Sequence, residues 1–268
     1  MSEIQPATFR AERIGTGEYA VELEQRWVLP FGSLFGGAIM AAPLAALDEH
    51  TGGRNVVAAS CHFLRPGQPG TCVIEIEDVK EGRTASTHRA TLHSQGQPIA
   101  TLLATVGPET EGKPVFADPP PPIPDRSGCS DPRDPAAMGD HWIPFQDVLA
   151  PNDRLVRFKS GEVLDEPDIA SWLRLADDEP IDAARLALLA DNWPPAPWLL
   201  GTYGIMTTVE LNLHMFSSGH RGWTIGQMRA RALFDGLFTV SGTLWTEEGT
   251  PIGEWRQVAL FSPFDEQD

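Results

Sequence analysis

Apolar and polar residues alternate along several stretches of the chain with the period of a β-strand. In residues 73–77 (VIEIE) the two glutamates fall on one face and the two isoleucines on the other. The alternation returns at 84–92 and 99–106, and turn-forming residues lie between these stretches at 81–82 and 95–98. The first half of the chain is therefore predicted to contain a run of antiparallel strands.

A second pattern, apolar on all sides, predicts one buried helix in each half. Residues 37–47 (GAIMAAPLAAL) carry no charge, so this helix is expected to be buried on most sides. Residues 181–190 form the corresponding helix of the second half, with Asp182 as its N-cap. Strands are predicted after this second helix at 207–215, 226–233, 237–245 and 252–261. Each half thus consists of one helix followed by strands.

The two halves are also similar in local sequence. Residues 61–64 (CHFL) correspond to 213–216 (LHMF), and 96–99 (GQPI) correspond to 249–252 (GTPI). The first pair of motifs is separated by 152 residues and the second by 153. Such constant spacing indicates duplication of one domain, and chance similarity is the alternative.

A proline-rich stretch lies between the halves. Residues 112–135 include four consecutive prolines at 119–122, which can continue neither a helix nor a central strand. We interpret the stretch as a stiff spacer that wraps around a domain surface. The predicted organisation is an N-terminal domain at 1–111, a linker at 112–140 and a C-terminal domain at 141–268.

Composition restricts the partners and the location. The 268 residues, 41% hydrophobic and 21% charged, are typical of a globular protein of two domains. A net charge of −17 disfavours nucleic acid and anionic membrane surfaces as partners. Residues 1–5 lack the apolar core of a signal peptide, and no apolar run is long enough to cross a bilayer. A cytoplasmic protein is expected.

Several common catalytic motifs are missing from the sequence. It contains no GxSxG nucleophile elbow and no P-loop. Residues 15–20 imitate a dinucleotide-binding fingerprint, but no apolar helix follows, so a hairpin turn is predicted there. The three cysteines form no CxxC pair, and Cys61 and Cys72 are expected in the core. The histidines His62, His88, His93 and His214 lie in predicted strands, and none has a neighbour at the spacing of a metal site. They are interpreted as structural.

Three polar positions in the second half are candidates for chemistry. Asp191 ends the apolar helix, where the helix dipole and partial burial both oppose its charge. A compensating partner is expected, unless Asp191 simply reaches solvent. Thr207 and Thr208 open a strand, in which threonine is an ordinary residue. Gln257 alternates with apolar neighbours and needs hydrogen-bond partners if it faces inward, whereas an outward glutamine needs none.

The first half resembles a known family at three motifs. Residues 32–37 (GSLFGG), 60–67 (SCHFLRPG) and 81–84 (EGRT) are similar to the first domain of the acyl-CoA thioesterase II family. The resemblance implies an α+β double hotdog fold, in which two fused antiparallel sheets each wrap around a central helix. Hotdog sheets commonly pair edge to edge, so one continuous sheet is expected, and further association into homo-oligomers is left open.

The same resemblance implies a reaction, the hydrolysis of acyl-CoA to free acid and CoA in lipid metabolism. Asp191, Thr208 and Gln257 match the family's catalytic residues in order and spacing. Asp191 would activate a water that Thr208 and Gln257 hold, with Thr207 as a competitor for the threonine role. The Gly36-Gly37 helix start would supply N–H donors to the oxyanion, although it could also be only a tight turn. No metal and no cofactor are expected.

Some features separate this chain from the family or favour other functions. Where the family often continues into a histidine-arginine-proline stretch, residues 216–218 are FSS, which concerns substrate preference. Because acyl-CoA is anionic, basic residues are needed near the site, and the candidates are Arg54, Arg65, Arg83 and Arg89. The alternatives are a non-catalytic acyl-CoA or lipid-binding protein and, less favoured, a hotdog dehydratase or hydratase, which would need a catalytic histidine.

Overall fold

The structure is a computed structural model that describes residues 7–29, 32–108, 114–130, 146–151, 157–158 and 160–264. Its first-half strands are β1 (Ala11–Gly15), β2 (Glu18–Leu23), β3 (Asn55–Phe63), β4 (Gly70–Lys80), β5 (Ser86–Ser94) and β6 (Gln97–Gly107). The later strands are β7 (Cys129–Ser130), β8 (Gln146–Pro151), β9 (Asp168–Leu175), β10 (Gly204–Met215), β11 (Thr224–Phe234), β12 (Leu237–Thr246) and β13 (Pro251–Pro263). The helices are α1 (Gly36–Thr51), α2 (Ala183–Asp191) and α3 (Ala196–Leu199).

The described strands form one antiparallel sheet. Their order is β1-β2-β4-β5-β6-β3-β10-β13-β12-β11-β9-β8-β7, so that β3 and β10 lie side by side at the junction between the two halves. The strands predicted in both halves are confirmed. So is the hairpin between β1 and β2, where Gly17 adopts a positive φ of 70° that favours glycine.

Helix α1 is buried, as its uniformly apolar sequence predicts. Its residues 37–44 are all buried, and the helix contacts all six strands of the first half and also α2. Helix α2 lies against α1, β10 and β13, and Asp182 caps it by accepting a hydrogen bond from the Arg185 N–H. The two helices therefore occupy the interior of the sheet and pack on one another.

The pairing of β3 with β10 reproduces the spacing of the sequence motifs. Ser60 lies opposite Asn212, 152 residues later, which is the separation of the first motif pair. The two flanking pairs are His62 with Glu210 and Ala58 with His214. With the same shift of 152 residues, His62 corresponds to His214 and Ala58 to Glu210, so each pair is the counterpart of the other. This is the register that a local two-fold relation between the strands requires, and it supports duplication over chance similarity.

The described part of the predicted linker packs against strands of the second half. Trp245 Nε1 donates to the Asp118 carbonyl and Trp172 Nε1 donates to the Pro124 carbonyl, each at 3.0 Å. The segment ends in the short strand β7, which was not predicted and which pairs with β8. Residues 112–113 and 131–140 of the predicted linker lie outside the described residues. The domain boundaries remain a prediction.

Among the described helices, none has both the length and the apolar character that crossing a membrane would require.

Candidate functional site

The carboxyl end of α2 meets the amino end of α1. Asp191, the last residue of α2, accepts a hydrogen bond from the Gly37 N–H at 2.7 Å through its Oδ2. The positive end of the α1 dipole thus compensates the unfavourable end of α2, which is the partner that the sequence called for. Asp191 is only partly accessible, and it has hydrogen-bond partners instead of simply reaching solvent.

Two glycines keep the start of α1 free of side chains that would clash with their surroundings. A Cβ on Gly36 would lie 2.7 Å from Asp191 Oδ2, and a Cβ on Gly37 would lie 2.6 Å from the ring of Phe35. Neither distance is tolerated between non-bonded heavy atoms of this kind. Gly36 therefore has a packing reason, which is the approach of a carboxylate to a helix start, whereas Gly37 makes room for the Phe35 ring.

Gln257 connects the other two predicted residues. Its Nε2 donates to Asp191 Oδ1 at 2.8 Å and to Thr208 Oγ1 at 2.7 Å. Gln257 therefore faces inward, and both of its N–H groups are used. The structure brings Asp191, Thr208, Gln257, Gly36 and Gly37 together in one place.

A β-bulge in β10 determines which threonine joins this cluster. Thr208 pairs with Ala259 and Glu210 pairs with Val258, so Val209 is an extra residue without a partner in β13. The bulge reverses the alternation of faces, and Thr208 consequently points to the same side as buried residues that follow it. Thr207 is exposed on the opposite side. The sequence left the two threonines undecided because it gives no signal for the bulge.

Burial changes the ionisation of two groups at the site. Desolvation raises the pKa of Asp191 to about 7, although the hydrogen bonds from Gly37 and Gln257 act in the opposite direction. Burial and the Asp191 charge also raise the pKa of the Cys61 thiol well above its usual range. Cys61 consequently stays protonated and is unsuited to be a nucleophile. Asp191 can exchange a proton near neutral pH.

Three of the four arginine candidates have other contacts, and the fourth, Arg83, lines a pocket away from Asp191. Arg54 donates to Ser86 Oγ, Arg65 donates to the Pro98 carbonyl, and Arg89 pairs with Glu77. Arg54 and Arg83 line a pocket at the opposite end of α1 from Asp191. The sequence reasoning also missed Phe63, whose ring would lie 3.5 Å from a Cβ at Gly36. Its place in the motif at 60–67 was the available signal.

The chain matches two family models. A model of the acyl-CoA thioesterase N-terminal domain matches residues 24–107, and a model of the acyl-CoA thioesterase C-terminal domain matches residues 119–261. The comparison with curated proteins gave no match.

Solved structures are similar along nearly the whole chain. A "putative thioesterase II" from Thermobifida fusca YX is 26% identical, with a TM-score of 0.85 over 94% of this chain and 95% of that one. A "putative thioesterase" from Novosphingobium aromaticivorans DSM 12444 is 24% identical, with a TM-score of 0.79 over 94% and 97%. A conserved protein of unknown function with a hot dog fold from Alicyclobacillus acidocaldarius is 18% identical, with a TM-score of 0.82 over 96% of each chain. The last two likenesses show the fold, which is of the hotdog type.

Proposed function

Because the chain belongs to the acyl-CoA thioesterase family, we propose that it hydrolyses acyl-CoA thioesters to free acid and CoA through Asp191, Thr208 and Gln257. The observation that supports these roles is the hydrogen-bonded cluster itself. Gln257 of β13 lies within hydrogen-bond distance of both Asp191 of α2 and Thr208 of β10, and Asp191 in turn accepts from the start of α1.

Asp191 is the general base of the proposed reaction. Its carboxylate removes a proton from water while the water oxygen forms a bond to the thioester carbonyl carbon. The carbon–sulfur bond then breaks, and the CoA thiolate takes up the proton that Asp191 holds. A pKa of about 7 suits both steps, since the group must accept and then release a proton near neutral pH.

Thr208 and Gln257 orient the water. Gln257 donates to Thr208 Oγ1, which leaves the threonine O–H to donate to a water beside Asp191. The same amide nitrogen fixes Asp191 Oδ1. Holding the base and the water in a fixed geometry lowers the entropic cost of bringing the water to the carbonyl carbon.

Gly36 and Gly37 have different roles in this proposal. The Gly37 N–H orients Asp191, because it already donates to Oδ2. The Gly36 end of α1 then faces the developing oxyanion, where the helix dipole favours negative charge. No metal or cofactor takes part.

The fold that accompanies this proposal is the double hotdog. Its support is the pairing of Ser60 with Asn212, which places two similar halves on either side of the β3–β10 junction. The site takes Asp191 from one half and the start of α1 from the other, so both halves are required for it.

The decisive test is a panel of acyl-CoAs with different chain lengths, followed by release of free thiol. Asp191→Asn is expected to lower kcat about 10²–10⁴-fold, because the amide cannot accept the proton. Asp48→Asn is the matched control, since Asp48 lies in the last turn of α1 as Asp191 does in α2, and it should leave kcat unchanged. Full activity of Asp191→Asn would refute the mechanism. Tight binding of acyl-CoA by the wild type without turnover would favour the binding-protein alternative.

A further inference from the structure

Two histidines and an aspartate converge at the end of α1 that lies away from Asp191. His50 is in the last turn of α1, Asp78 is on β4 and His88 is on β5. His88 is buried and His50 is largely buried, whereas Asp78 is open to solvent. Three different elements thus present one ligating side chain each to a single point.

The potential ligand atoms are within coordination range of one another. His50 Nε2 lies 3.0 Å and His88 Nδ1 lies 2.7 Å from the same oxygen, Asp78 Oδ1. The three ligand atoms all lie within 4.8 Å of each other. Zinc binds imidazole nitrogen and carboxylate oxygen at about 2.0–2.2 Å, so a single ion fits between them after small side-chain shifts.

The second nitrogen of each imidazole also faces an oxygen. His50 Nδ1 lies 3.1 Å from the Tyr19 hydroxyl, and His88 Nε2 lies 3.1 Å from Ser86 Oγ. Both hydroxyls can donate or accept, so they can support either tautomer of each histidine. In metal sites such an oxygen receives the N–H of the ligating histidine and thereby turns the other nitrogen, with its lone pair, toward the ion.

We propose that His50, Asp78 and His88 form a binding site for a divalent transition-metal ion such as Zn²⁺, with Tyr19 and Ser86 as the outer partners that orient the two imidazoles. Two imidazoles and one carboxylate suit zinc and its neighbours, whereas Mg²⁺ and Ca²⁺ prefer sites made of oxygen alone. The remaining coordination positions face a pocket of about 490 Å³. Water completes the coordination there.

The surrounding charges are compatible with a cation at this point. Asp78 supplies a carboxylate oxygen that lies within hydrogen-bond distance of both imidazoles. The guanidiniums of Arg83 and Arg54 also line this pocket, and that of Arg54 donates to Ser86 Oγ at 2.8 Å. The Arg54 charge is separated from Asp78 by Ser86 and His88, because Arg54 contacts Ser86, Ser86 contacts His88, and His88 contacts Asp78.

The site is too far from Asp191 to take part in hydrolysis. His50 follows Gly37 by thirteen positions along α1, and at 1.5 Å per residue this is about 20 Å. The ion would instead tie the end of α1 to β4 and β5. The expected consequence is greater stability of the first half, independent of the proposed reaction.

Titration of the metal-free full chain with Zn²⁺ in a calorimeter tests the proposal. One Zn²⁺ per chain is expected to bind. Loss of an outer hydrogen-bond partner typically lowers metal affinity about 10–100-fold, and His50→Gln or Asp78→Asn, which each remove a ligand, should lower the Zn²⁺ affinity at least as much. His214→Gln is the matched control, since His214 pairs with the single carboxylate of Glu254 at 3.2 Å, and it should bind as the wild type does. Circular dichroism establishes that each variant is folded.

Two further measurements separate this site from surface binding. Zn²⁺ should raise the melting temperature of the wild type but not that of Asp78→Asn, and kcat of Asp78→Asn should stay at the wild-type value. Absence of saturable Zn²⁺ binding in the wild type would overturn the proposal. So would a one-to-one site that persists in both His50→Gln and Asp78→Asn.

Discussion

At the level of single residues, the ionisation of Asp191 governs the expected chemistry. Its pKa is raised to about 7, and only the ionised carboxylate can accept a proton from water. We expect kcat/KM to be low below this pKa, to rise tenfold per pH unit there and to level off above it. A pH profile of acyl-CoA hydrolysis, corrected for uncatalysed hydrolysis at high pH, measures this. A profile that is flat from about pH 5 to 8 would assign the rate to another group.

The two adjacent threonines provide an internal comparison. Thr208→Val removes the hydroxyl that accepts from Gln257, and we expect a kcat loss of about 10–100-fold, as for one hydrogen bond to a charged network. Thr207→Val changes an exposed residue on the other face of β10 and should retain wild-type kcat. Steady-state kinetics on both variants decides between them. Equal losses of kcat in the two variants would mean that the bulge does not determine which threonine belongs to the site.

The sequence pointed to residues that the structure brings together, but it did not predict all of their contacts. Asp191 stood out because an apolar helix ends in a charge, and Gln257 because it alternates with apolar neighbours. That the Gly37 N–H donates to Asp191, and not to a substrate oxygen as the sequence suggested, depends on how α2 meets α1. This is a tertiary contact that no local pattern encodes.

At the level of elements, the sheet tolerates little extra volume beside the site. Gly242 of β12 lies opposite Trp255 of β13, and a Cβ there would lie 2.0 Å from the indole ring. Gly242→Ala should therefore displace Trp255, two residues from Gln257, and lower the free energy of unfolding by about 1–3 kcal/mol.

Urea unfolding followed by tryptophan fluorescence checks this value. Gly128→Ala is the control, because a Cβ there meets nothing closer than Pro124 at 3.6 Å. It should unfold as the wild type does. An equally stable Gly242→Ala protein would show that the strand pair can open without cost.

Elements with a clear period were predicted, and those without one were missed. Helix α1 and strands β5, β6, β12 and β13 follow from their patterns. Strand β9 was not predicted, because it is covered on both faces: Ile169 and Leu173 join the main core, while Trp172 packs with Trp245. Burial on both sides removes the alternation of apolar and polar residues from which a strand is recognised.

At the level of the whole molecule, the first half lacks the groups that the second half brings together. Strand β10 corresponds to β3 with a shift of 152 residues, so the counterpart of Thr208 is Val56. Strand β13 corresponds to β6 with a shift of 153 residues, so the counterpart of Gln257 is Ala104. The pairing agrees, since Leu211 lies opposite Gln257 and Ala59 lies opposite Ala104. Neither valine nor alanine can hold a water.

One site per chain is therefore expected. A thioether analogue of acyl-CoA, which cannot be hydrolysed, should bind in a calorimeter with a stoichiometry of one per chain. Gly36→Ala should weaken it, because the added methyl group occupies space beside Asp191. Two equivalent molecules bound per chain would contradict the asymmetry inferred from Val56 and Ala104.

The β3–β10 junction has a consequence for how such a protein can evolve. When two copies of one chain assemble about a symmetry axis, every substitution appears twice, and a change harmful at one location cannot be kept at the other. Here the neighbouring strands belong to a single polypeptide, so each can accumulate changes separately. Val56 and Ala104 are both buried among apolar neighbours, as expected if selection for packing replaced selection for reactivity in that half.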